Sequence, residues 1–371
     1  MKNIVFFEDV FGNFGGIEKM IVNITSELPK DKYHITLLLN KMISEEYRET
    51  LLNMGVDIVE LQDEFIHNPI KRHLKGVKLF DKYIKEHPVD TIHFHISNSI
   101  DMMYVSVAKK RGVKNRIAHS HNSNATSKFK VLMHYTFKTF LKNSPSHYIS
   151  CSTKAAYWLY SKKKVDRGEV VILKNAIVTK DYLYNEERRQ GTRQRYDFGN
   201  QFIVGHIGRF NEQKNHRFLI DIFTEFKKLK ENAELALIGE GDLKDEIKQY
   251  VKEKGVEDSV RFMGNSNEVP NLLSAMDVFL LPSLYEGLPV VLVETQAASL
   301  PALVSNTITK EVDVSKYVKY MSLERTPDKW AKGLLKMAEV PREDNYQTMY
   351  DSGFDIASMV KELDKIYSEL N

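Results

Sequence analysis

Two carboxylates with seven residues between them, Glu286 and Glu294, stand in the segment Pro282-Ser283-Leu284-Tyr285-Glu286-Gly287-Leu288-Pro289-Val290-Val291-Leu292-Val293-Glu294. Pro289 suits the first position of a helix, where a missing N–H costs nothing. Glu286 then falls in the loop before that helix and Glu294 inside it. Glu294 shares a face with Val290 and Val291. A carboxylate on so apolar a face is costly unless it is hydrogen-bonded. A vicinal diol, such as a ribose 2′,3′ pair, offers two donors to one carboxylate; backbone donors are the plainer alternative. Glu286, near the helix N-terminus, is placed to hold other sugar hydroxyls.

Two cations follow a strand pattern in Gly208-Arg209-Phe210-Asn211-Glu212-Gln213-Lys214-Asn215. At the carboxyl edge of a sheet, Arg209 and Lys214 could grip a diphosphate; elsewhere they would be two solvated surface charges. The chain has neither a Walker loop nor an Asp-x-Asp pair, so these cations are expected to do what a divalent metal does elsewhere. Near the start, Gly15-Gly16 opens a helix pattern. Such a turn lets backbone N–H groups approach an anion, or is simply a strand-to-helix turn. The spacing is not that of a dinucleotide fingerprint. His119-Ser120-His121-Asn122 follows another strand pattern, and alternate residues of an extended segment share a face. A His-x-His pair could hold a metal, but no third ligand is evident in the sequence. His93-Phe94-His95 ends the preceding strand pattern and could line the same place.

The elements that must position these residues alternate. Strand patterns at 3–7, 35–39, 56–61, 91–95, 116–119 and 148–151 are separated by helix-length segments. The same grammar restarts at 202–207 and continues with strands at 235–238, 260–263, 278–281 and 302–305. Repeated βαβ logic implies two mostly parallel sheets, with ligands beyond the carboxyl ends of their strands. There Glu240-Gly241, which ends a strand and opens a helix, could border a bound ligand, as could the backbone of Arg261 to Gly264, Met263 included. The polar stretch 180–200 reads as a linker or a solvated helix.

Composition agrees with two domains. The 371 residues are 42% hydrophobic and 28% charged, with one cysteine, Cys151. These figures exclude disorder, a disulfide framework and a cysteine-based zinc site. No apolar run approaches the ~18 residues of a membrane span, and Glu8-Asp9 follows the first apolar run too soon for a signal peptide. Residues 1–180 hold 28 Lys/Arg against 18 Asp/Glu, and residues 181–371 hold 25 against 32. The first part is therefore basic and the second acidic. Within the basic part, residues 128–142 read as a helix with Phe129, Leu132, Met133, Phe137, Phe140 and Leu141 broadly on one side and lysines at both ends. Interfacial membrane helices have that pattern, as do packed helices with a solvated lysine face.

Taken together, Gly15-Gly16-Ile17-Glu18-Lys19, Gly208-Arg209 with Lys214, Gly239-Glu240-Gly241, Phe262-Met263-Gly264 and Glu286 with Glu294 resemble the retaining GT-B-fold glycosyltransferases of family 4 (group 1), the bacterial exopolysaccharide and capsule type. The resemblance runs over nearly the whole chain and implies an α/β architecture of two Rossmann-like domains facing across a cleft. The domains are an acceptor-binding domain at 1–178, a nucleotide-sugar-binding domain at 179–352, and a C-terminal helix at 353–371 crossing back to the first. It puts Glu286, with Gly287 and Leu288, on the donor sugar, Glu294 on the ribose, Arg209 and Lys214 on the diphosphate, the Gly15-Gly16 loop over it, and His121 facing the sugar. Asn175 matches a family asparagine.

The expected reaction is metal-independent, retaining transfer of a hexose from a UDP-linked nucleotide sugar to a lipid-linked or growing glycan. The nucleotide sugar is a substrate and no cofactor or metal is expected. The expected setting is cytoplasmic, peripheral at the inner face of the plasma membrane, with an anionic membrane surface met through 128–142 and no nucleic acid. A nucleotide-sugar epimerase of the same fold, or a non-catalytic nucleotide-sugar-binding partner, are the alternatives.

Overall fold

The computed structural model describes residues 1–12, 16–96, 98–122, 128–286 and 288–370, the side chains of 128–130 aside. Two compact units are present. One comprises Met1–Ala176 with Ile356–Asn371, the other Ile177–Asp355.

The first unit is built on seven parallel strands: β1 (Lys2–Phe11), β2 (Tyr33–Met42), β3 (Asp57–Glu60), β4 (Thr91–Ile96), β5 (Asn115–Ser120), β6 (His147–Ser150) and β7 (Val170–Ile172). Their order is β3-β2-β1-β4-β5-β6-β7. The central strands, β4 above all, are buried on both faces as a parallel sheet requires, whereas the edge strands β3 and β7 are partly exposed. β1 pairs with β2 as far as Phe11, but with β4 only from Val5 to Phe7. The sheet therefore opens between β1 and β4, where the strand order reverses. One face carries Phe7, Phe80, Phe94 and Tyr104 in mutual contact. The other carries Phe6 edge-on to His93 and His95.

The C-terminal helix, Ile356–Ser368, packs within this unit beside the Gly16–Glu27 helix. Its apolar stripe of Ile356, Met359, Val360 and Leu363 is buried. Asp364 accepts from Tyr33 Oη at 2.7 Å and pairs with Lys32 at 2.9 Å, and both partners hold its carboxyl below the usual range.

The second unit has six parallel strands: β8 (Phe202–Ile207), β9 (Ala233–Ile238), β10 (Val260–Gly264), β11 (Val278–Leu281), β12 (Ala302–Ser305) and β13 (Val318–Met321), in the order β10-β9-β8-β11-β12-β13. Two hydrophobic cores fill its faces, one around Phe279, Leu292 and Val304, the other around Leu219, Phe223 and Trp330. β13 has no counterpart among the expected strands. It is a partly solvated edge strand with Lys319 exposed, so it lacks a buried strand's continuous apolar run. Segment 180–200 includes the helix Glu186–Arg195, and two of its arginines, Arg189 and Arg193, are turned into the unit. Arg189 and Arg193 reach Asp277 at 2.6 and 3.5 Å and take carbonyls of 274–276, where the Val269–Ala275 helix ends. A polar sequence became an integral part of the unit because it caps a helix C-terminus.

Candidate functional site

In the second unit β8 and β11 are neighbours, and chain connections leave them in opposite directions. That is the crevice where open α/β sheets bind ligands. The loop after β8 makes a single turn, Glu212–Lys214, in which the Asn211 side chain accepts the Lys214 N–H. The loop after β11 carries Glu286, bridged to Ile308. Lys214 Nζ lies 2.6 Å from Glu286 Oε1, with the side chains only 14% and 8% exposed. Ser283 Oγ donates to Oε1 at 2.9 Å and Gln213 Nε2 to Oε2 at 3.0 Å. A carboxylate has about four acceptor positions, so Glu286 keeps about one for a ligand hydroxyl. Lys214 keeps two of its three protons for an anion. Residues given separate jobs by the sequence are thus one ion pair. Its half-buried position makes removal of either partner expensive for the other.

The glycines set that geometry. Gly239 has φ +140°, and a Cβ there would stand 2.2 Å from the Gly208 carbonyl oxygen. A Cβ on Gly208 would be 2.9 Å from Lys214 Cε. The loops after β8 and β9 can nest, with Lys214 laid across them, only without side chains at these positions.

Glu294 lies on the Val290–Ala297 helix and is 7% exposed. Tyr182 Oη donates to its Oε1 at 2.7 Å. Burial first, and then the carboxylate, push the tyrosine hydroxyl upward, so it remains a protonated donor. Sequence reasoning missed Tyr182, Ser283 and Gln213. Only Gln213, next to Lys214, left a signal. Arg209 is not part of the ion pair; its side chain is 69% exposed and 3.9 Å from Asp242. Glu240 pairs with Lys244 at 2.6 Å. The Arg261 side chain turns to Glu234 and to the carbonyls of Tyr196 and Asp197. Met263 and Leu288 pack partly buried against the core. Gly15 and Gly287 lie outside the described residues. Gly16 begins the Gly16–Glu27 helix, and a Cβ on it would meet nothing within 4 Å among the described residues. These make no packing demand for glycine there. Just ahead, the buried Glu18 accepts the Gly12 N–H at 2.7 Å.

In the first unit four imidazoles gather on one face of the sheet. His95 stands opposite His119 in register. His93 Nε2 and His119 Nδ1 are 3.3 Å apart, and His95 Nδ1 and His121 Nε2 are 3.1 Å apart. His93 Nδ1 meets Tyr367 Oη of the C-terminal helix at 2.6 Å. Burial lowers the proton affinity of all four; His93 and His121 fall to about 3, and Asn175 beside His121 opposes its shift. The ring of His121 is thus neutral and fixed by His95. His93 and His95 do line the same place as His119, as the sequence allowed; one nitrogen each of His93, His95 and His119 falls within 4.8 Å of the others.

The 128–142 segment forms the helix Lys128–Leu141. Its large apolar residues do not share one side. Leu132 and Phe140 are 66% and 81% exposed, whereas His134 is buried and stacks on Trp158 at 3.9 Å. Lys138 is not on a solvated face either: it donates to the Tyr157 and Trp158 carbonyls at 2.6 and 2.8 Å. The helix thus faces the unit with His134, stacked on Trp158, rather than with its apolar residues as a single stripe. Among the described residues no helix is long and apolar enough to cross a membrane.

Comparison with known proteins adds three findings. Residues 14–181 match the domain described as Glycosyltransferase Family 4, and residues 189–351 that described as Glycosyl transferases group 1. The chain is 29% identical over 365 residues to the putative glycosyltransferase EpsF of Bacillus subtilis, covering 96% of this chain and 94% of that one. It is 25% identical over 368 residues to the capsular polysaccharide biosynthesis glycosyltransferase CapH of Staphylococcus aureus, covering 96% of each. The fold is that of Anabaena HepE, solved with UDP and glucose: TM-score 0.75, 16% identity, 99% of both chains.

Proposed function

We propose that this chain, which belongs to the group 1, family 4 glycosyltransferases of GT-B fold, moves a hexose from a UDP-linked donor to a lipid-linked glycan during bacterial polysaccharide synthesis, with retention of configuration. The second unit binds the nucleotide sugar and the first the acceptor. The observation that carries this reading is the Lys214–Glu286 pair at the β8–β11 crevice: one ammonium for a departing diphosphate beside one carboxylate for sugar hydroxyls. The HepE structure, which holds UDP and glucose, supports that ligand class, and CapH supports the biosynthetic setting.

Donor binding exchanges one of Lys214's contacts, so that its Nζ turns from Glu286 toward the β-phosphate. Arg209, already in solvent, adds a second positive charge. Glu286 then orients the hexose, and Glu294 with Tyr182 receives the ribose. The C1–O bond to the β-phosphate breaks as the acceptor hydroxyl oxygen bonds to C1 on the same face. The hydroxyl proton passes to the departing phosphate oxygen. Electrostatic stabilisation of a leaving group by fixed donors commonly supplies the largest catalytic term, and here cations replace Mg²⁺. The neutral His121 ring meets the sugar. The acceptor's lipid end would keep the first unit at the inner face of the membrane.

Thermal unfolding across a panel of nucleotides and nucleotide sugars tests the donor. A ligand at 100 times its dissociation constant adds ~2.7 kcal/mol. UDP and a UDP-hexose should stabilise the protein with or without Mg²⁺. Stabilisation by a purine nucleotide instead, or only with Mg²⁺ present, would overturn the donor assignment.

A further inference from the structure

His93 and His95 alternate on β4 and so share a face, and His119 reaches the same face from neighbouring β5. All three are 2% exposed or less. A protein interior has little use for so many imidazoles, because each buried polar nitrogen costs free energy unless it finds a partner. Here His95 Nε2 finds none. We propose that His93, His95 and His119 form a binding site for one first-row divalent transition-metal ion of the Zn²⁺ or Co²⁺ class, with His121 or water as the fourth ligand.

The geometry is close to what such an ion needs. Tetrahedral zinc with nitrogen ligands at ~2.0–2.1 Å has N···N edges of about 3.3 Å. His93 Nε2 and His119 Nδ1 already stand 3.3 Å apart. The His93 and His95 rings are nearly parallel at 14° with centroids 4.6 Å apart. One nitrogen each of His93, His95 and His119 already lies within 4.8 Å of the others, so a small inward tip of the rings closes the remaining edges. If His95 gives up its contact with His121 in that movement, the His121 Nε2 that now faces it becomes the fourth ligand; otherwise water does.

An outer partner is in place as well. A ligating histidine usually gives its other ring N–H to a fixed acceptor, and His93 Nδ1 has Tyr367 Oη at 2.6 Å. In the metal-free protein Tyr367 can donate to Nδ1 while Nε2–H points to His119. In the loaded protein the proton sits on Nδ1 and is donated to Tyr367, leaving the Nε2 lone pair for the ion. The imidazoles stay neutral throughout, so no net proton is exchanged. Imidazole donors favour zinc-type ions over Mg²⁺, which prefers oxygen. This ion would not take the place of Lys214 at the diphosphate; where the His121 ring is occupied by the sugar, water is the fourth ligand. The bound ion would tie β4 and β5 together and, through Tyr367, fasten the C-terminal helix.

The test uses the full chain without an affinity tag, stripped with EDTA and titrated with Co²⁺. One equivalent should bind, with the visible d–d bands of a tetrahedral imidazole centre, and Zn²⁺ should displace it. His119→Ala should weaken uptake by at least about 100-fold, and Tyr367→Phe by about 10- to 100-fold. If His119→Ala fails to fold, Tyr367→Phe, which keeps the ring, decides the question. No stoichiometric uptake by the wild type overturns the proposal. So does uptake that His119→Ala or, where that variant does not fold, Tyr367→Phe leaves unchanged, because the ion would then sit on surface histidines.

Discussion

The two sheets share the strand order 3-2-1-4-5-6, with one further strand in the first unit, yet they accommodate polar side chains at their carboxyl edges in opposite ways. The second unit keeps charge: Lys214 and Glu286 neutralise each other and take further hydrogen bonds from Ser283 and Gln213. The first removes charge: its imidazoles are buried so deeply that they give up protons. A paired charge sits ready to be exchanged for a ligand. A neutral cluster is held by proton-sensitive contacts and is vulnerable to acid or open to a metal. The contrast also explains how far each was legible. Glu286, Glu294, Arg209 and Lys214 lie in loops and a helix start marked by Gly and Pro, so their types and spacing pointed to a phosphate and a sugar. The histidine cluster depends on the register between β4 and β5 and on a helix more than 230 residues further along the chain. Neither is written in local spacing.

The largest effect should come from breaking the charged site. Lys214→Ala removes the ammonium proposed for the leaving diphosphate and strands Glu286, whose side chain is 8% exposed. Turnover should fall by roughly 10²–10³ and added Mg²⁺ should not restore it. Arg209→Ala should cost less, since Arg209 is in solvent and outside the ion pair. Equal losses would mean that the pairing seen in the structure is irrelevant to catalysis; full rescue by Mg²⁺ would return the diphosphate to a metal.

A smaller effect separates the two carboxylates. A hydrogen bond to a charged group is worth about 1.5–3 kcal/mol, so Glu294→Gln should weaken UDP binding by roughly ten-fold or more. Glu286→Gln should impair transfer without weakening free UDP, since Lys214 then has no charged partner to leave when it meets the diphosphate. Titration calorimetry with UDP on both variants reads the difference. Comparable losses would remove the division between ribose and hexose. Tyr182→Phe sharpens it further: if the tyrosine serves only to hold Glu294, its loss should move UDP affinity in the same direction and by less.

The neutral cluster predicts a pH effect of known sign. His93 and His121 hold protons with a pKa of about 3 in the folded chain, against ~6.5 when unfolded. Between those values the unfolded chain takes up protons that the folded chain refuses. Stability is therefore complete above about pH 6.5 and falls as the pH drops, by up to about 1.4 kcal/mol per pH unit for each such histidine. Urea midpoints of the stripped protein at about pH 7.5 and about pH 5.5 measure it. His93→Asn should be less stable at the higher pH and lose less on acidification. A slope equal to that of wild type would show that the burial of His93 is not what couples the fold to protons.

The smallest effect per residue concerns the basic unit's surface. The helix Lys128–Leu141 presents Leu132 and Phe140 to solvent, and Phe140 lines a surface hollow with Lys109 and Lys110. Apolar side chains beside exposed lysines suit the boundary of an anionic bilayer, where each nearby lysine contributes ~1 kcal/mol and salt screens it. Lys138 belongs to a different account. Burial lowers its affinity for a proton, so keeping it charged is costly, but its hydrogen bonds to the carbonyls of Tyr157 and Trp158 hold the helix in place. Changing Lys109, Lys110 and Lys142 together to glutamine should reduce sedimentation with anionic liposomes at low salt and leave thermal stability nearly unchanged. Lys138→Gln should do the reverse, lowering stability while the folded fraction still sediments. If the triple variant sediments as wild type does, the exposed apolar residues are an ordinary solvated face. If Lys138→Gln alone abolishes sedimentation without destabilising the fold, the helix presents its other side to the membrane, and the packing of His134 on Trp158 must loosen when it docks.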